Sequence, residues 1–246
     1  MISENFLESL RANVAAYRPP PRSGYVPVQV EFELDTPLMM GYPWIFGDAL
    51  LARQLLQDIL GDRFYDLPAK IPVIPPGIVH LPLKKTGMIY HASASILDTD
   101  EKHTTTIYKR FHEAPDLKST TRIRTNSGPF RSHMLTLPYS ASRMVKFNYF
   151  GDLGEIKRLL SPIRGLGKKR GQGGGEVARV RFRELSRDES IIRDGVAMRS
   201  IPAKMLDSFE DIRVILMAYT FPSWDPENVT LCVAPGGKCD FKEVRT

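Results

Sequence analysis

Residues 164–187 read RGLGKKRGQGGGEVARVRFRELSR, and the predicted fold is organised around them. Six of the first twelve residues are glycines, and four are the cations Arg164, Lys168, Lys169 and Arg170. Glycine permits backbone conformations and close approaches that other residues do not, and clustered Lys and Arg side chains attract phosphates. The stretch follows a helix-like segment and precedes a strand-like one at 176–185. We therefore predict a mobile cationic loop that leads into a strand.

This order of elements excludes two common phosphate-binding motifs. A dinucleotide-binding fingerprint requires GxGxxG between a strand and a helix, and Arg170 occupies the position of its third glycine. A P-loop requires Gly-Lys followed by Ser or Thr and then a helix whose amino end holds the phosphate, but Gly167 and Lys168 are followed by Lys169. The remaining interpretation is a cationic loop that binds phosphates. The alternative is a solvated connection whose charges only keep the protein soluble.

Composition and charge are those of a globular protein that favours polyanions. The 246 residues, 42% of them hydrophobic, suffice for one large domain or two small ones. The formal net charge of +6 favours polyanionic partners. No apolar run approaches the roughly 18 residues of a membrane helix, and no secretion signal is evident, so we expect a cytoplasmic location and no membrane partner. Cys232 and Cys239 stand without neighbouring histidines, and we predict no metal and no cofactor.

The amino-terminal residues predict an arm followed by a first strand. Every fourth residue from Phe6 to Val14 is apolar, which is typical of a short amphipathic helix over residues 3–17. The proline-rich residues 18–24 end this helix and form a stiff connector. Residues 26–34 alternate apolar and polar side chains, which predicts a half-buried strand.

A second helix is predicted across residues 44–61. Leu51 and Leu55 fall on its apolar face, and Gly61 stops it in the way expected of a helix carboxyl terminus. Asp48 either caps the start of this helix, which is the favoured interpretation, or reaches a neighbouring backbone amide. A catalytic carboxylate at this position would need a partner that the sequence does not identify.

The second half of the chain repeats the order strand, helix, strand. Residues 145–150 predict a strand, and Asp152 predicts the cap of a helix that ends near Pro162, before the glycine loop and its strand. Beyond residue 187 the pattern weakens. Residues 200–203 predict a tight turn into a packed segment, and residues 213–221 predict a buried strand. The tail after them, which contains Pro222, Pro226, Pro235, Gly236 and Gly237, is expected to wrap back over the domain as irregular structure.

Residues 84–145 form a basic, polar insertion with interleaved aromatic side chains. Two of its segments, 104–108 and 120–123, have strand chemistry and a spacing that suits a long hairpin with a polar tip. Such a projecting hairpin can insert among bases or follow a nucleic-acid backbone. The alternative is a solvated hairpin face. The candidate RNA contacts in the insertion are Lys109, Arg110, Arg122, Arg124 and Arg131.

Together these elements predict an α+β fold with a ferredoxin-like or RRM-type core, an inserted β-hairpin thumb and a carboxy-terminal glycine-rich loop. Residues 46–52, FGDALLA, resemble the first-helix signature of CRISPR-associated RAMP proteins, and residues 166–177, LGKKRGQGGGEV, resemble their glycine-rich loop. The resemblance spans residues 26 to about 205. Three shorter segments are most similar to the five-prime-handle subunit of type IV effector complexes, namely 91–94, 127–132 and 199–203.

The resemblance implies a non-enzymatic RNA-binding subunit of an antiviral ribonucleoprotein. Such a subunit binds the repeat-derived 5′ handle of the guide crRNA, caps one end of the backbone filament and lies near the site where target DNA is first engaged. The implied partners are the crRNA 5′ handle, the repeating backbone RAMP subunit, the large subunit, target DNA and an accessory helicase. The implied organisation is a single RAMP domain over residues 25–246, with a thumb at 84–145 and a wrapping tail at 188–246. Residues 1–24 form a helical arm and linker outside the pattern.

The chemistry expected of the glycine loop follows from its residue types. Its predicted RNA-binding residues are Arg164, Gly167, Lys168, Lys169, Arg170, Gly171 and Gln172. The cationic side chains should contact phosphates, while backbone N–H groups around Gly167 and Gly171 donate hydrogen bonds to them. Such contacts position the RNA without reading its bases. Gln172 either reads a base edge or caps the loop, and the sequence does not choose between these roles.

Two other classes of function stay open. An endoribonuclease of the same superfamily would process the crRNA precursor with a His or Tyr as general base and a Lys or Arg that stabilises the phosphorane. A general RNA-binding module outside CRISPR systems would bind many RNAs without assembly partners. The histidines that keep the endoribonuclease open are His91, His103, His112 and His133.

Overall fold

The computed structural model of the chain describes residues 4–67, 74–99, 101–109, 131–209, 213–223 and 225–241. Three α-helices lie within these ranges, namely α1 Glu4–Ala16, α2 Gly47–Leu60 and α3 Leu153–Leu160. The strands are β1 Tyr25–Leu34, β2 Leu38–Met39, β3 Lys85–Thr86, β4 Ile89–Tyr90, β5 Ile96–Leu97, β6 Lys102–Lys109, β7 His133–Ser140, β8 Met144–Asp152, β9 Val177–Glu184, β10 Ile192–Arg193, β11 Val196–Ala197, β12 Ile201–Pro202, β13 Leu206–Phe209, β14 Val214–Ala218, β15 Val229–Val233 and β16 Cys239–Phe241. The protein is thus a mixed α and β fold with several antiparallel sheets and few helices.

The largest sheet has four antiparallel strands in the order β5-β8-β1-β9. In the middle of β1, Val30 pairs with Phe147 of β8 on one side and with Phe182 of β9 on the other. The alternate apolar residues of β1 are buried, as the sequence predicts. Gln29 on the opposite face is also buried. Its side-chain amide donates a hydrogen bond to Asn148 Oδ1 at 2.9 Å, which offsets the cost of burying a polar group.

The three helices pack together with this sheet around one hydrophobic core. Leu51 and Leu55 of α2 and Ile156 of α3 are buried in the same cluster as the apolar face of the sheet. Leu10 and Val14 of α1 belong to that cluster as well. Each fully buried aliphatic side chain contributes roughly 1.5–3 kcal/mol of hydrophobic stabilisation, so the apolar stripes predicted from the sequence are what holds the helices in place.

Two predicted helix boundaries are confirmed and one interpretation is corrected. Gly61 follows α2 with a φ of 57°, which glycine adopts without strain. Asp152 caps α3, because its carboxylate accepts a hydrogen bond from the N–H of Glu155 at 2.8 Å. The capping role favoured for Asp48 is wrong. Asp48 is the second residue of α2, beyond the cap position, and its Oδ1 accepts the N–H of the adjacent Ala49 at 2.9 Å.

The other carboxylate oxygen of Asp48 forms a buried ion pair with Arg199. Arg199 Nη2 lies 3.0 Å from Asp48 Oδ2, and both side chains are almost completely excluded from solvent. Arg199 also donates hydrogen bonds to the carbonyl oxygens of Tyr90, Ala92 and Tyr219. The guanidinium therefore joins the start of α2 to two other segments of the chain.

The tail has regular structure, which corrects the prediction of an irregular wrap. Strands β12, β15 and β14 form an antiparallel sheet. One residue from each strand, Ile201, Cys232 and Met217, is buried in a second hydrophobic cluster. The strand predicted at 213–221 exists as β14, but only part of it is buried, since Leu216 is 69% exposed. A continuous apolar run does not reveal which face of a strand meets solvent.

The insertion contains the strand predicted at 104–108, which is part of β6. Over its eight residues β6 pairs with β7 in antiparallel register. The strand chemistry of 104–108 is therefore confirmed, whereas its pairing with the segment at 120–123 stays a prediction. Residues 110–130, which connect β6 to β7 and include the inferred partner, lie outside the described residues.

The described ranges contain neither a membrane-spanning helix nor a metal site, and both cysteines are buried. None of the helices in the described ranges has the length and apolar character needed to cross a membrane. No group of three or more His, Cys, Asp or Glu side chains in those ranges is placed to bind a metal ion. Cys232 and Cys239 are free, buried thiols, and burial raises their pKa values to about 12 and about 11.

Candidate nucleic-acid interface

The glycine loop between α3 and β9 is folded back on itself and fixed to a neighbouring segment. Leu166 donates its N–H to Gly175 O at 2.8 Å, which closes the base of the loop. Lys168 donates its N–H to Met39 O at 2.7 Å, and Gly175 donates to Pro37 O at 2.9 Å. These three hydrogen bonds fix the backbone at the base of a loop that the sequence predicts to be mobile.

Two of the glycines are required by this packing. Gly175 has a φ of 63°, and an added Cβ would lie 2.2 Å from the carbonyl oxygen of Leu166. Gly167 has a φ of 75°, and an added Cβ would lie 2.4 Å from Met39 O. A Cβ at Gly171 would instead meet nothing within 4 Å. The glycines therefore serve close packing at the base of the loop, whereas the tip is open to solvent.

The tip of the loop is a single 3₁₀ turn, Arg170–Gln172, preceded by Lys169 in a left-handed conformation with a φ of 58°. The N–H of Gln172 closes the turn on Lys169 O at 2.8 Å. The N–H groups of Lys169, Arg170 and Gly171 donate to no acceptor within the described ranges. They are therefore available to an external acceptor, as predicted for the region around Gly171. The side-chain amide of Gln172 also makes no hydrogen bond there, so it does not cap the loop.

A groove of about 1010 Å³ separates the glycine loop from α2, and we call it the loop groove. One wall contains the predicted residues Arg164, Gly167, Lys168, Lys169, Arg170 and Gly171. The other wall is the polar face of α2 with the turn after it and contains Arg53, Gln54, Gln57 and Tyr65. Among the described residues that line the groove there is no carboxylate. The fold thus brings the predicted loop cations to one surface without a neutralising acidic partner.

Arg53 is the groove residue that the sequence did not single out. Its guanidinium carbon lies 5.6 Å from the centroid of the Phe64 ring, and it has no ion-pair partner in the part of the chain that the structure describes. Burial lowers the pKa of Arg53, and the positive charge of Arg170 lowers it further. A half-buried cation that faces another cation favours an anion between them. The sequence feature that could have identified Arg53 is its spacing from Gln57, because two polar residues one turn apart lie on the same face of α2.

A smaller cavity of about 400 Å³ adjoins the loop groove, and we call it the aromatic cavity. The two share Arg53, Lys168 and Arg170 as lining residues. The aromatic cavity adds Tyr42 and Trp44, whose ring centroids are 6.4 Å apart in an edge-on arrangement. Aromatic rings beside unpaired cations are the combination that binds single-stranded nucleic acid, through base stacking and phosphate attraction.

Two of the five candidate contacts in the insertion, Lys109 and Arg131, lie within the described residues. Lys109 is the last residue of β6, and Arg131 lies two residues before the first residue of β7, so both are at the same end of the hairpin. Neither lines the loop groove. Three further candidates lie outside the described residues, namely Arg110, Arg122 and Arg124. RNA contacts from the hairpin stay a prediction.

One of the four histidines in the insertion has a defined hydrogen-bond network. His91 Nδ1 hydrogen-bonds to the carboxylate of Asp188, 2.5 Å from Oδ2, and His91 Nε2 hydrogen-bonds to the hydroxyl oxygen of Thr86 at 2.7 Å. Burial alone would raise the pKa of Asp188, but the hydrogen bonds from His91 and Ser190 outweigh burial and lower it. His91 itself is buried. Both of its ring nitrogens are thus engaged within the protein.

Comparisons with known proteins were made for sequence and for structure. No curated protein sequence matches the chain significantly. Among solved structures, a chain in the cryo-EM structure of the type III-B Cmr-beta bound to cognate target RNA is similar, with a TM-score of 0.37 and 11% sequence identity. The alignment covers 73% of this chain and 66% of that chain, so the present chain spans just under two thirds of the length of that neighbour.

Residues 84–235 match the family model described as CRISPR type IV associated protein Csf3. Because the matched segment is more than half of the 246 residues, the match identifies the chain as a CRISPR-associated protein. The chain belongs to the type IV Csf3 family. The predicted resemblance to a type IV CRISPR-associated protein is confirmed. The matched segment contains the insertion and the glycine loop, whereas β1 and α2 lie before it.

Proposed function

We propose that this chain is a non-catalytic subunit of a type IV CRISPR ribonucleoprotein that binds the 5′ handle of the guide crRNA in the loop groove. The observation that carries the proposal is the uncompensated positive charge of that groove. Arg53, Lys168 and Arg170 line it, and the described lining residues include no carboxylate. Phosphates of single-stranded RNA supply the missing negative charge.

The topology supports a RAMP-type, ferredoxin-like core for this subunit. The proposal is supported by the order β1-α2-β5-β8-α3-β9 of the elements that build the largest sheet and its two helices, together with the sheet order β9-β1-β8-β5, which is compatible with the β-α-β-β-α-β arrangement of ferredoxin-like folds. The β6–β7 hairpin is inserted between β5 and β8, and in this proposal it is the thumb. The glycine loop lies directly before the last strand of the core. A thumb and a glycine loop on one core offer two surfaces to the same RNA strand.

The proposed partners follow from membership of the type IV family. The subunit caps one end of the filament of repeating backbone subunits, contacts the large subunit and lies near the site of target DNA engagement, with an accessory helicase in the same system. The tagged full chain should then co-purify with backbone subunits and a short RNA of defined 5′ sequence. Recovery of the chain with RNAs of random sequence and no other subunit would contradict this assignment.

The salt dependence of crRNA binding tests the loop groove. Each phosphate contact on a single strand contributes about 0.7 to the slope of log K against log salt, so replacing Lys168, Lys169 and Arg170 with alanine should reduce the slope by about 2. Removal of the 5′ handle from the crRNA should weaken binding to the wild-type chain and change binding to this variant much less. A control triple variant removes the same charge at exposed positions outside the described cavities, namely Lys157, Arg179 and Lys204. Equal slopes for the two triple variants would exclude the loop as the phosphate site.

Arg53 tests the opposite wall of the groove. Arg53→Gln should lower the salt slope by about 0.7 and weaken binding roughly 10- to 100-fold, which corresponds to about 1.5–3 kcal/mol for a hydrogen bond to a charged group. Arg63→Gln is the matched control, because Arg63 also lies over an aromatic ring, at 5.7 Å from the centroid of Phe6, but does not line the groove. The same loss in both variants would point to altered packing instead of a lost phosphate contact.

An endoribonuclease is the second candidate, and one observation favours it. His91 lies between Asp188 and Thr86, and a carboxylate that orients a histidine is the arrangement of a general base. Two observations weigh against catalysis by His91: it is buried, and it does not line the loop groove. His103 on β6 has its Nε2 atom 3.7 Å from Oε2 of Glu101, which directly precedes the strand. His112 and the side chain of His133 lie outside the described residues.

A cleavage assay separates the two candidates. Repeat RNA incubated with the wild-type chain in metal-free buffer should stay intact if the subunit only binds RNA. His91→Ala serves as the second arm, since a general base is required for product formation. Product from the wild-type chain that disappears in His91→Ala would favour the endoribonuclease.

A further inference from the structure

A third cavity, of about 430 Å³, shares Trp44 with the aromatic cavity, and we call it the tail cavity. Its walls come from residues 94–99, from the β10–β11 hairpin and from the turn at 235–236 of the tail. Its volume lies within the roughly 300–1,000 Å³ of small-ligand sites. The tail therefore contributes to a concave site.

Three cations line the tail cavity, namely Lys102, Arg193 and Arg213, and its described lining residues include no carboxylate. None of the three has an ion-pair partner within the described residues. The acidic residue next to Arg193 is already neutralised, because Asp194 Oδ1 lies 2.7 Å from Arg187 Nη2. Three uncompensated positive charges around one cavity favour a phosphate over a neutral ligand.

The aromatic wall of the tail cavity is held rigidly. Ile45, next to Trp44, donates its N–H to Ser95 Oγ at 3.0 Å and accepts the N–H of Ser95 at 2.7 Å. Phe46 forms a bridge with Ala94 on the same segment. These bonds hold the backbone next to Trp44, and the Trp44 side chain is partly buried against the second hydrophobic cluster. A ring that is already packed stacks on a base with less loss of side-chain entropy than a free one.

We propose that the tail cavity binds one nucleotide of the bound strand, with its phosphate between Lys102, Arg193 and Arg213 and its base against Trp44. This inference rests on the proposed function, because the strand reaches the tail cavity from the loop groove by way of the aromatic cavity. The three concavities are linked through shared lining residues, Arg53, Lys168 and Arg170 at one step and Trp44 at the next. The nucleic-acid path then crosses from the glycine loop to the tail.

The first test is the salt slope of single-strand binding by the full-length chain. The variant Lys102→Ala/Arg193→Ala/Arg213→Ala should lower the slope by about 2, from about 0.7 per phosphate contact, whereas the control triple variant defined above should not. Single-stranded RNA and single-stranded DNA of the same sequence form the two arms. A decrease in the RNA arm assigns the cavity to the guide strand, and a decrease in the DNA arm alone assigns it to the target strand. An unchanged slope in both arms overturns the proposal.

The second test detects the nucleotide directly. Titration with adenosine 5′-monophosphate should quench the fluorescence of Trp44, with Trp44→Phe as the background for the remaining tryptophan, and adenosine without phosphate should quench less at the same concentration. The quench should disappear in the Lys102/Arg193/Arg213 variant, and its persistence there overturns the proposal.

The loop triple variant separates the two hypotheses. It should retain the quench by adenosine 5′-monophosphate, because the loop cations do not line the tail cavity. If it binds crRNA with an unchanged salt slope and still shows the quench, the proposed function fails and the nucleotide site stands. If it loses crRNA affinity while the wild-type chain shows no quench, the tail cavity fails and the loop groove stands.

Discussion

The buried pair of Asp48 and Arg199 is the sharpest test of how the fold holds the loop groove in place. α2 begins with Gly47 and Asp48 and carries Arg53 five residues later, so an anchor on Asp48 sets the orientation of one groove wall. Removing one partner of a buried ion pair typically costs about 3–5 kcal/mol, because the other charge is left buried and unpaired. The free energy of unfolding of a domain is only about 5–15 kcal/mol. Either single substitution should therefore be severe.

The contacts of each side chain set the expected magnitudes. Arg199→Met leaves the Asp48 carboxylate unpaired, at about 3–5 kcal/mol, and removes the three hydrogen bonds that Arg199 donates to the carbonyl oxygens of Tyr90, Ala92 and Tyr219, at about 1 kcal/mol each. The expected loss is thus about 6–8 kcal/mol. Asp48→Asn leaves these carbonyl bonds intact and should cost about 3–5 kcal/mol. The double variant has no unpaired charge, so it should be roughly 3 kcal/mol more stable than Arg199→Met alone.

Urea unfolding followed by far-ultraviolet circular dichroism measures these differences. If Arg199→Met is unfolded in buffer, a cooperative transition should reappear in the double variant with Asp48→Asn. Binding of crRNA should fall in Asp48→Asn even where the variant is folded, since α2 loses the anchor that orients Arg53. If adding Asp48→Asn to Arg199→Met removes as much stability as it removes from the wild-type chain, the two side chains act independently and the reasoning is refuted.

Three further predictions concern smaller features. Cys232 and Cys239 should react with a disulfide reagent at pH 8 only after unfolding in urea, because pKa values of about 12 and about 11 leave thiolate fractions of about one in a thousand or less; rapid reaction of the native chain would contradict the burial. Gly175→Ala should lower the free energy of unfolding by about 1–3 kcal/mol, given its positive φ and the clash of an added Cβ, whereas Gly171→Ala should change it by less than about 0.5 kcal/mol; equal shifts of the thermal midpoint would show that the loop base is not packed as described. Folding lowers the pKa of Asp188 below its ordinary value of 3.8, so the ionised carboxylate stabilises the fold above that pH, and this stabilisation is lost as the pH falls through the lower folded pKa. Asp188→Asn should therefore reduce the loss of stability below about pH 4. The same dependence of stability on pH in the variant and the wild-type chain would argue against the hydrogen bond from His91.

The elements with a regular apolar period were predictable from the sequence. β1, α2 and α3 each pack on one face, and an element that packs on one face must repeat its apolar residues with a period of 2 or 3.6. Gly61 and Asp152 were predictable for a related reason, because caps depend on the conformation and hydrogen bonding of one or two neighbouring residues. The place of the glycine loop between α3 and β9 follows from the same local signals.

The features that sequence analysis missed depend on residues far apart in the chain. Asp48 and Arg199 are separated by 151 positions, and no local pattern pairs them. Arg53 stood out only as one polar residue on the outer face of α2, and its meeting with Arg170 is a result of how α2 packs beside the loop. The exposure of Leu216 likewise follows from which face of its sheet meets solvent, because its cross-strand partner Leu231 on the central strand β15 is exposed as well. Tertiary packing decides each of these, and the pattern of residue types does not encode it.

The pairing of the cations, and not their number, is the stronger argument for where a polyanion binds. On the outer surface Arg158 is paired with Glu155 and Asp58, and Arg181 is paired with Glu33. Such exposed pairs add little stability, about 0–1 kcal/mol each, but they cancel the field of the cation. The cations of the loop groove and the tail cavity have no such partners in the described residues and line concavities that are joined through Trp44 and the aromatic cavity. A low-dielectric concavity focuses uncompensated charge and raises the local concentration of anions, so under the proposed function we expect a single strand to be attracted along the whole path and not to the glycine loop alone.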